Sequence, residues 1–301
     1  MYQFVANTKF LLTGEYLILL GADAVVLPLR FTQKMSLSPG PENIISWKSK
    51  AKNKLWFWTK IEKNTKIIES SDPEKSSFLI RIFQAMQKLN PDLAMDALDI
   101  LIEADFDMQW GLGSSSTLIS LLAQYAEIDA FELNRMLSEG SGYDVVAATR
   151  NSSFIFHRDG AQYFTRDCPL RFPFRENLYF VYTGHKQSTE DSIRRFNALK
   201  KKNLKTEINE ISEISAALPS VGKLDEFEYL LNKHEQIMTS VLKRKSLKQT
   251  IFKDLNGASK SLGAWGGDFA MITWHDSKQA LKKYLYGKNI QTYFPWTNIV
   301  L

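Results

Sequence analysis

Trp110-Gly111-Leu112-Gly113-Ser114-Ser115-Ser116-Thr117 runs directly into Leu118-Ile119-Ser120-Leu121-Leu122-Ala123. The first part is a glycine–serine turn and the second an apolar run, so the junction reads as a helix start. Helix starts expose backbone N–H groups that lack a partner inside the helix, and these attract anions. Gly111 and Gly113 allow backbone conformations closed to other residues and let a phosphate approach closely. Ser114, Ser115, Ser116 and Thr117 add hydroxyls suited to a phosphate oxygen or a metal. The same residues also read as an ordinary glycine turn with a serine N-cap, and the rest of the chain bears on the choice.

Working outward, residues 98–103 (Leu-Asp-Ile-Leu-Ile-Glu) read as a strand that reaches the turn through a short loop. The local order is therefore strand, loop, glycine–serine turn, helix. Further upstream, Asp72-Pro73-Glu74 opens a helix with Phe78, Leu79, Ile82, Phe83, Met86 and Leu89 at helical spacing, and Asn90-Pro91 closes it. The first forty residues read as strands at 10–12, 16–20 and 24–27, separated by Thr13-Gly14-Glu15 and Gly21-Ala22-Asp23. Residues 44–47 and 55–58 continue in that mode, and their tryptophan-rich face reads as core or edge packing. Downstream, the sequence predicts a helix over 130–137 and a hairpin over 153–165 that turns at Asp159-Gly160. Strands follow at 178–182 and 269–273, with helices over much of 190–262. The proline-containing stretch 169–176 lacks periodicity and is read as a boundary between domains 1–175 and 176–301.

The composition is globular: 301 residues, 44% hydrophobic and 24% charged, enough for one large or two ordinary domains. The formal net charge of +5 suits an anionic small molecule. The basic residues are scattered, and the densest run, Lys200-Lys201-Lys202, reads as a solvated helix end or loop, so nucleic acid is not an expected partner. Cys168 is the single cysteine, which rules out an intrachain disulfide and a cysteine-based zinc site. The start, Met1-Tyr2-Gln3-Phe4-Val5, lacks a signal-peptide pattern, and no apolar run reaches membrane-spanning length. The expectation is a cytoplasmic protein without a membrane partner.

Two more glycine-rich segments stand beside Gly111–Thr117: Gly140-Ser141-Gly142-Tyr143-Asp144 and Gly263-Ala264-Trp265-Gly266-Gly267-Asp268. There is no P-loop and no dinucleotide fingerprint. The four histidines (His157, His185, His234 and His275) are dispersed, against a multi-histidine metal site.

Gly111-Leu112-Gly113-Ser114-Ser115 resembles the central phosphate-binding motif of the GHMP kinases, the family of galactokinase, homoserine kinase, mevalonate kinase and phosphomevalonate kinase. Lys9 through Gly14-Glu15-Tyr16 to Gly21 resembles the family's first motif, and Gly263–Asp268 its third. The three occur in the family's order and span nearly the whole chain. Ser141-Gly142-Tyr143-Asp144-Val145-Val146-Ala147-Ala148 is most similar to the phosphomevalonate kinase form of the catalytic segment. Gly266-Gly267-Asp268 and Thr183-Gly184-His185-Lys186-Gln187-Ser188-Thr189 also resemble that branch. The Gly-Tyr-Asp form resembles a group of bacterial GHMP kinases named only by this signature. The chain departs from the family at Ala6-Asn7-Thr8-Lys9, usually Ala-Pro-Gly-Lys, and at Trp265, usually glycine. Asp107-Met108-Gln109-Trp110 stands where a proline often precedes the central motif. Asp144 follows Ser116 by 28 residues, fewer than usual, and the shortened stretch normally carries a magnesium-binding carboxylate.

The resemblance implies an α+β fold of two domains, an N-terminal ATP-binding domain like ribosomal protein S5 domain 2 and a C-terminal ferredoxin-like sandwich. It implies phosphoryl transfer from ATP, with Mg2+, to a small-molecule acceptor of the mevalonate pathway and isoprenoid biosynthesis, such as phosphomevalonate. Mevalonate, a sugar or homoserine are the alternative acceptors. A diphosphomevalonate decarboxylase and a non-catalytic binding protein on the same fold also stay open, as does a homodimer. Carried over residue by residue, Gly111, Leu112, Gly113, Ser114, Ser115 and Ser116 would hold the nucleotide phosphates, and Ser115 would ligate the metal. Glu127, Glu132 and Glu139 are the nearby carboxylates, and none is preferred. Asp144 would orient or deprotonate the acceptor, and Lys9 would keep it ionised. Lys186, Ser188, Gly266, Gly267 and Asp268 would bind the acceptor, with His185, Thr189 and Arg194 able to assist. Ser188 and Thr189 ahead of Glu190-Asp191 also read as a helix cap. Trp110 and Trp265 read either as pocket walls or as core.

Overall fold

The computed structural model describes residues 2–62, 66–95, 97–184, 189–199, 203–263, 265 and 267–301. In chain order the elements begin with β1 (Tyr2–Leu11), β2 (Ala24–Pro39), β3 (Ile44–Ala51), β4 (Lys54–Glu62), β5 (Ile67–Ser70), α1 (Pro73–Leu89) and β6 (Leu98–Ala104). Next come α2 (Ser114–Ala126), α3 (Ala130–Leu137), α4 (Tyr143–Ala147), β7 (Phe154–Asp159), β8 (Gln162–Asp167) and β9 (Leu178–Tyr182). The last are α5 (Thr189–Leu199), α6 (Lys205–Ala217), α7 (Leu224–Leu242), α8 (Leu247–Thr250), β10 (Ser259–Leu262), β11 (Phe269–Thr273), α9 (Lys278–Gly287), β12 (Tyr293–Pro295) and α10 (Trp296–Ile299). The fold class is α+β, as the sequence predicts. No helix among the described residues is long and apolar enough to cross a membrane.

The chain forms two compact units from interleaved stretches. The first comprises Met1–Lys9, Phe31–Met108 and Leu112–Arg150. Its sheet runs β5-β4-β3-β6-β2, with β3 and β6 parallel and the other pairs antiparallel. A parallel pair needs a crossover, and here the crossover includes α1. Asp72 caps α1 by accepting the Glu74 and Lys75 amides, and Pro73 takes the first helical position, where its missing N–H costs nothing. Along β6 burial alternates, so Ile100, Ile102 and Ala104 face the core. Ile100 and Ile102 meet Leu79, Ile82, Phe83 and Met86 of α1 and Ile119 and Leu122 of α2 in one apolar cluster. Trp47 is buried there, 6.2 Å from Phe83, while Trp56 on the other face of the hairpin stays 45% exposed.

The second unit comprises Phe10–Arg30, Gln109–Gly111 and Asn151–Leu301. Its antiparallel sheet has the order β10-β11-β9-β12. β9 is apolar on both faces because both are covered. Tyr179 and Val181 join Phe252, Leu255, Leu281 and Leu285, whereas Phe180 stacks on Phe10 at 5.0 Å and Trp296 at 5.6 Å. β7 pairs with β8 as the expected hairpin and with the start of β2, Ala24–Val26 opposite Phe156–Phe154.

Two expectations fail. Residues 16–20 do not form a strand; Leu17–Leu20 is a single turn of 3-10 helix. Gly14, Tyr16 and Gly21 have φ of 89°, 60° and 93°, which breaks any extended run. Leu17 and Ile18 are buried, and a short apolar run fits a buried turn as well as a buried strand. Ser259–Leu262, inside the stretch expected to be helical, is β10, with every residue buried against β11 and the helices behind it.

Candidate active site

The glycine–serine turn opens α2 as its residues require. Gly113 is the N-cap at φ 88°, a conformation that favours glycine, and it provides no capping side chain. The first intrahelical bond at this end is Thr117 N–H to the Gly113 carbonyl. The amides of Ser114, Ser115 and Ser116 have no hydrogen-bond partner among the described residues. Ser115 is exposed, and its hydroxyl and that of Ser114 are likewise without a partner there. Three free amides at the positive end of a thirteen-residue helix form an anion cradle. Behind it, the Thr117 hydroxyl donates to Gln33 Oε1 at 2.6 Å, a buried bond that ties the helix start to β2.

Ser116 is turned the other way. Its side chain is buried, and its hydroxyl donates to Oδ2 of Asp144. The other carboxylate oxygen accepts the Val145 amide at 3.2 Å, so both oxygens of Asp144 are held. Asp144 sits in the first turn of α4, which starts at Gly142 with φ 84°. A side chain at Gly142 would drive into the Phe131 ring of α3, so the turn also needs glycine for space.

Lys9 lies on β1 and is 7% exposed. Its amide donates to the Leu112 carbonyl at 3.4 Å, and its Nζ stands 5.2 Å from the centre of the Tyr143 ring. A methyl at Gly113 would come within 3.0 Å of Lys9 Cε. The first unit thus gathers Leu112 through Ser116, Lys9 and Asp144.

In the second unit Gly111 packs directly on the Asp268 carboxylate, leaving no room for a Cβ. The Asp268 carbonyl accepts the amide and hydroxyl of Thr183 at 2.8 and 3.0 Å. Gly267 and Asp268 are buried. The structure thereby joins Gly111, Asp268 and Thr183, one residue from each of three quoted segments. His185, Lys186, Ser188 and Gly266 lie outside the described residues, and nothing is described of the Thr189 side chain. Arg194 is paired with Asp191 at 2.9 Å. Trp110 packs on Phe269 and Phe294, and Trp265 lies with Tyr16 and Phe196, fully buried, so both are core residues.

The three glutamates separate clearly. Glu127 is the C-cap of α2, at the far end from Ser115, about 18 Å along a helix rising ~1.5 Å per residue. Glu132 is engaged by Arg135 through both oxygens at 2.8 and 2.9 Å. Glu139 is exposed. No group of three acidic, imidazole or thiol side chains suited to a metal stands among the described residues. The Cys168 thiol is buried, and burial, only partly offset by Arg166, pushes it up to about 11, so it offers no thiolate.

Sequence reasoning missed a buried charged cluster in the second unit. Lys260, fully buried on β10, donates to Glu15 and lies 3.3 Å from Glu235 Oε1. The Gly14 amide donates to His234 Nε2 at 3.1 Å, leaving that nitrogen as an acceptor 3.2 Å from Glu15 Oε2. Ser261 donates its amide and hydroxyl to Glu235, both at 3.3 Å. Burial pushes the Glu15 carboxyl up, but the Lys260 ammonium outweighs it and holds it below its ordinary value. Burial lowers His234, and Lys260 lowers it further against Glu15. Burial raises Glu235 to about 7 despite Lys260. The cluster joins the first glycine-containing segment to the strand entering the third. Glu15 stood in a quoted motif; Lys260 gave no signal, because a lysine in a polar stretch reads as exposed.

No family model matches the sequence, and no curated protein matches it in sequence. Solved structures are similar. Phosphomevalonate kinase of Streptococcus pneumoniae, in complex with phosphomevalonate and AMPPNP, matches with a TM-score of 0.74 at 14% identity, over 98% of this chain and 99% of that one. Lactococcus lactis galactokinase complexed with galactose matches at 0.72 and 13%, over 99% and 92%. L. major mevalonate kinase in complex with R-mevalonate matches at 0.69 and 18%, over 98% and 94%. These three are GHMP kinases.

The chain has the GHMP kinase fold.

The GHMP kinase fold covers both units, and at such identities the likeness lies in the arrangement of elements rather than in their side chains. The shortened interval between Ser116 and Asp144 is compatible with it: α2, α3 and α4 follow one another closely and pack on each other in the first unit.

Proposed function

We propose that the chain is an ATP- and Mg2+-dependent kinase of a small molecule, with phosphomevalonate as its acceptor. The observation that carries this reading is the hydrogen bond from Ser116 to Asp144. It ties a helix start suited to phosphates to a carboxylate suited to an acceptor's proton, within one unit and through one side chain.

Phosphoryl transfer needs positioning and charge stabilisation more than covalent chemistry. On this reading the turn at Gly111, Leu112 and Gly113 and the amides of Ser114, Ser115 and Ser116 hold the nucleotide phosphates. Lys9 adds positive charge beside Tyr143, next to Asp144 in sequence. Asp144 orients or accepts the acceptor's proton, and its two held oxygens limit the geometry it can adopt. The exposed, unpartnered Ser115 hydroxyl fits one Mg2+ ligand, since that ion takes few protein oxygens and completes its octahedron with phosphates and water. Bound there, Mg2+ would supply charge neutralisation on the phosphates. The acceptor roles of Lys186, Ser188, Gly266, Gly267 and Asp268 belong to the same proposal. The phosphomevalonate branch is supported by the Ser141–Asp144 and Gly266–Asp268 motifs and by the similarity to the S. pneumoniae enzyme.

The test is ADP release from Mg-ATP with purified protein and a panel of phosphomevalonate, mevalonate, diphosphomevalonate, homoserine and galactose. The expected result is turnover with phosphomevalonate that disappears in Asp144→Asn. Turnover with another member overturns the branch and keeps the kinase. Nucleotide binding without ADP release for any acceptor overturns the kinase reading.

A further inference from the structure

The second unit contains a cleft of about 530 Å3 whose lining includes no residue of the three glycine-rich segments. Arg30, Arg171 and Arg175 line it. None of these guanidinium groups has a hydrogen-bond or ion-pair partner among the described residues. The one acidic side chain in the lining, Glu176, lies 3.7 Å from Lys278.

The backbone that presents the arginines is anchored. In Arg171-Phe172-Pro173-Phe174-Arg175 burial alternates: the two phenylalanines point inward and the two arginines outward. Phe172 stacks on Phe174 at 5.0 Å and packs on Phe227 at 4.8 Å and on Trp296 at 5.6 Å. The Ser153 hydroxyl donates to the Cys168 carbonyl and accepts the Leu170 amide at 3.1 Å, which fixes the approach to Arg171. Arg30 follows Leu29, which is bridged to Val300, and the Leu301 amide donates to Pro28.

Like charges facing one space repel, and three arginines without acidic partners are an unbalanced arrangement unless an anion joins them. Guanidinium forks match phosphate oxygens in pairs. The hydroxyl-bearing Ser152 in the lining adds a further donor, and Leu170 supplies apolar wall. The volume lies in the range of small-molecule pockets, roughly 300–1,000 Å3. We propose that this cleft is a second ligand site, for a phosphorylated small molecule that sets its phosphate on Arg30, Arg171 and Arg175 and its apolar part against Leu170. The proposal does not depend on the kinase reading.

The test is calorimetric titration of the full chain with phenyl phosphate and with inorganic phosphate. Wild type and Gly113→Ala, which alters the α2 cradle and its Lys9 neighbour and no lining residue of the cleft, are expected to bind phenyl phosphate alike, and more tightly than inorganic phosphate. Arg171→Ala/Arg175→Ala and, separately, Arg30→Ala are expected to weaken it by about tenfold or more, the order of one lost charge-assisted bond. All three positions are exposed and unpartnered, so the melting temperature should stay at the wild-type value. Unchanged binding in the arginine variants overturns the site, as does loss of all binding in Gly113→Ala. Equal affinity for phenyl and inorganic phosphate overturns the apolar half of the assignment.

Discussion

The hydroxyl of Ser116 is hydrogen-bonded to the carboxylate of Asp144 across 28 residues of sequence. The backbone of Ser116 belongs to the anion cradle while its side chain fixes the carboxylate, so cradle and carboxylate share one rigid support. Asp144→Asn should lower turnover by about 10^2–10^4 if Asp144 is the base, with nucleotide affinity kept. Ser116→Ala should lower kcat by about tenfold, the scale of a hydrogen bond to a charged group, leave KM for ATP in place, and be rescued by Ser116→Thr. Parallel kcat and KM changes in Ser116→Ala would point to a general loss of the cradle instead.

Gly113→Ala tests the cradle itself. At φ 88° a side chain costs roughly 1–2 kcal/mol, and its methyl would press on Lys9 Cε at 3.0 Å. Nucleotide binding, measured by calorimetry, should weaken by about tenfold or more, with a small fall in melting temperature. Wild-type affinity would mean that phosphates do not use this turn.

Lys260→Met should be among the most damaging single changes. It leaves Glu15 and Glu235 as buried carboxylates without their shared cation, at a cost of about 3–5 kcal/mol. Urea unfolding measures it. A loss under about 1 kcal/mol would show that both carboxylates are protonated or hydrated in the native state.

Glu235 gives a pH dependence with a definite sign. Its folded carboxyl is raised to about 7 from 4.5, so between these values the folded state holds a proton that the unfolded state releases. Its contribution to stability is present below the unfolded value and is lost as pH rises towards 7. Glu15, held low, and His234, also held low, have the opposite slope. The difference between wild type and Glu235→Gln isolates the one group. The wild type should lose ground to the variant as pH rises from about 5 to 7, then stay level. A difference independent of pH would mean that Glu235 is charged throughout.

Local signals carry over well from sequence to structure. Asp72-Pro73 starts α1, the β7–β8 hairpin turns at Gly160-Ala161, one residue beyond the expected Asp159-Gly160, and the alternation of residues 98–103 sets the buried face of β6. Such features depend on neighbours within a few residues. Leu17–Leu20 was hidden because a largely buried apolar turn and a buried strand demand the same apolar residues, and the positive φ values separate them. β10 was hidden because Ser259, Lys260 and Ser261 are polar, yet their partners make them core. In the site, the cradle can be read in the glycine–serine motif, but the partner of Ser116 cannot. It exists only because α4 packs on α2. The Glu15–Lys260 pair and the three arginines of the cleft are likewise products of tertiary structure.

The interleaving of the two units bears on how the chain is made. Synthesis runs from the N-terminus, so Glu15 emerges 245 residues ahead of Lys260. At roughly 5–20 residues per second, that delay is about 12–50 s on the ribosome. During it, Phe10–Arg30 belongs to a unit whose remaining residues mostly have yet to be translated. Leu11, Leu12, Leu17, Ile18, Val25 and Val26, all buried at the end, form an apolar stretch that waits over that interval for most of the residues that cover it.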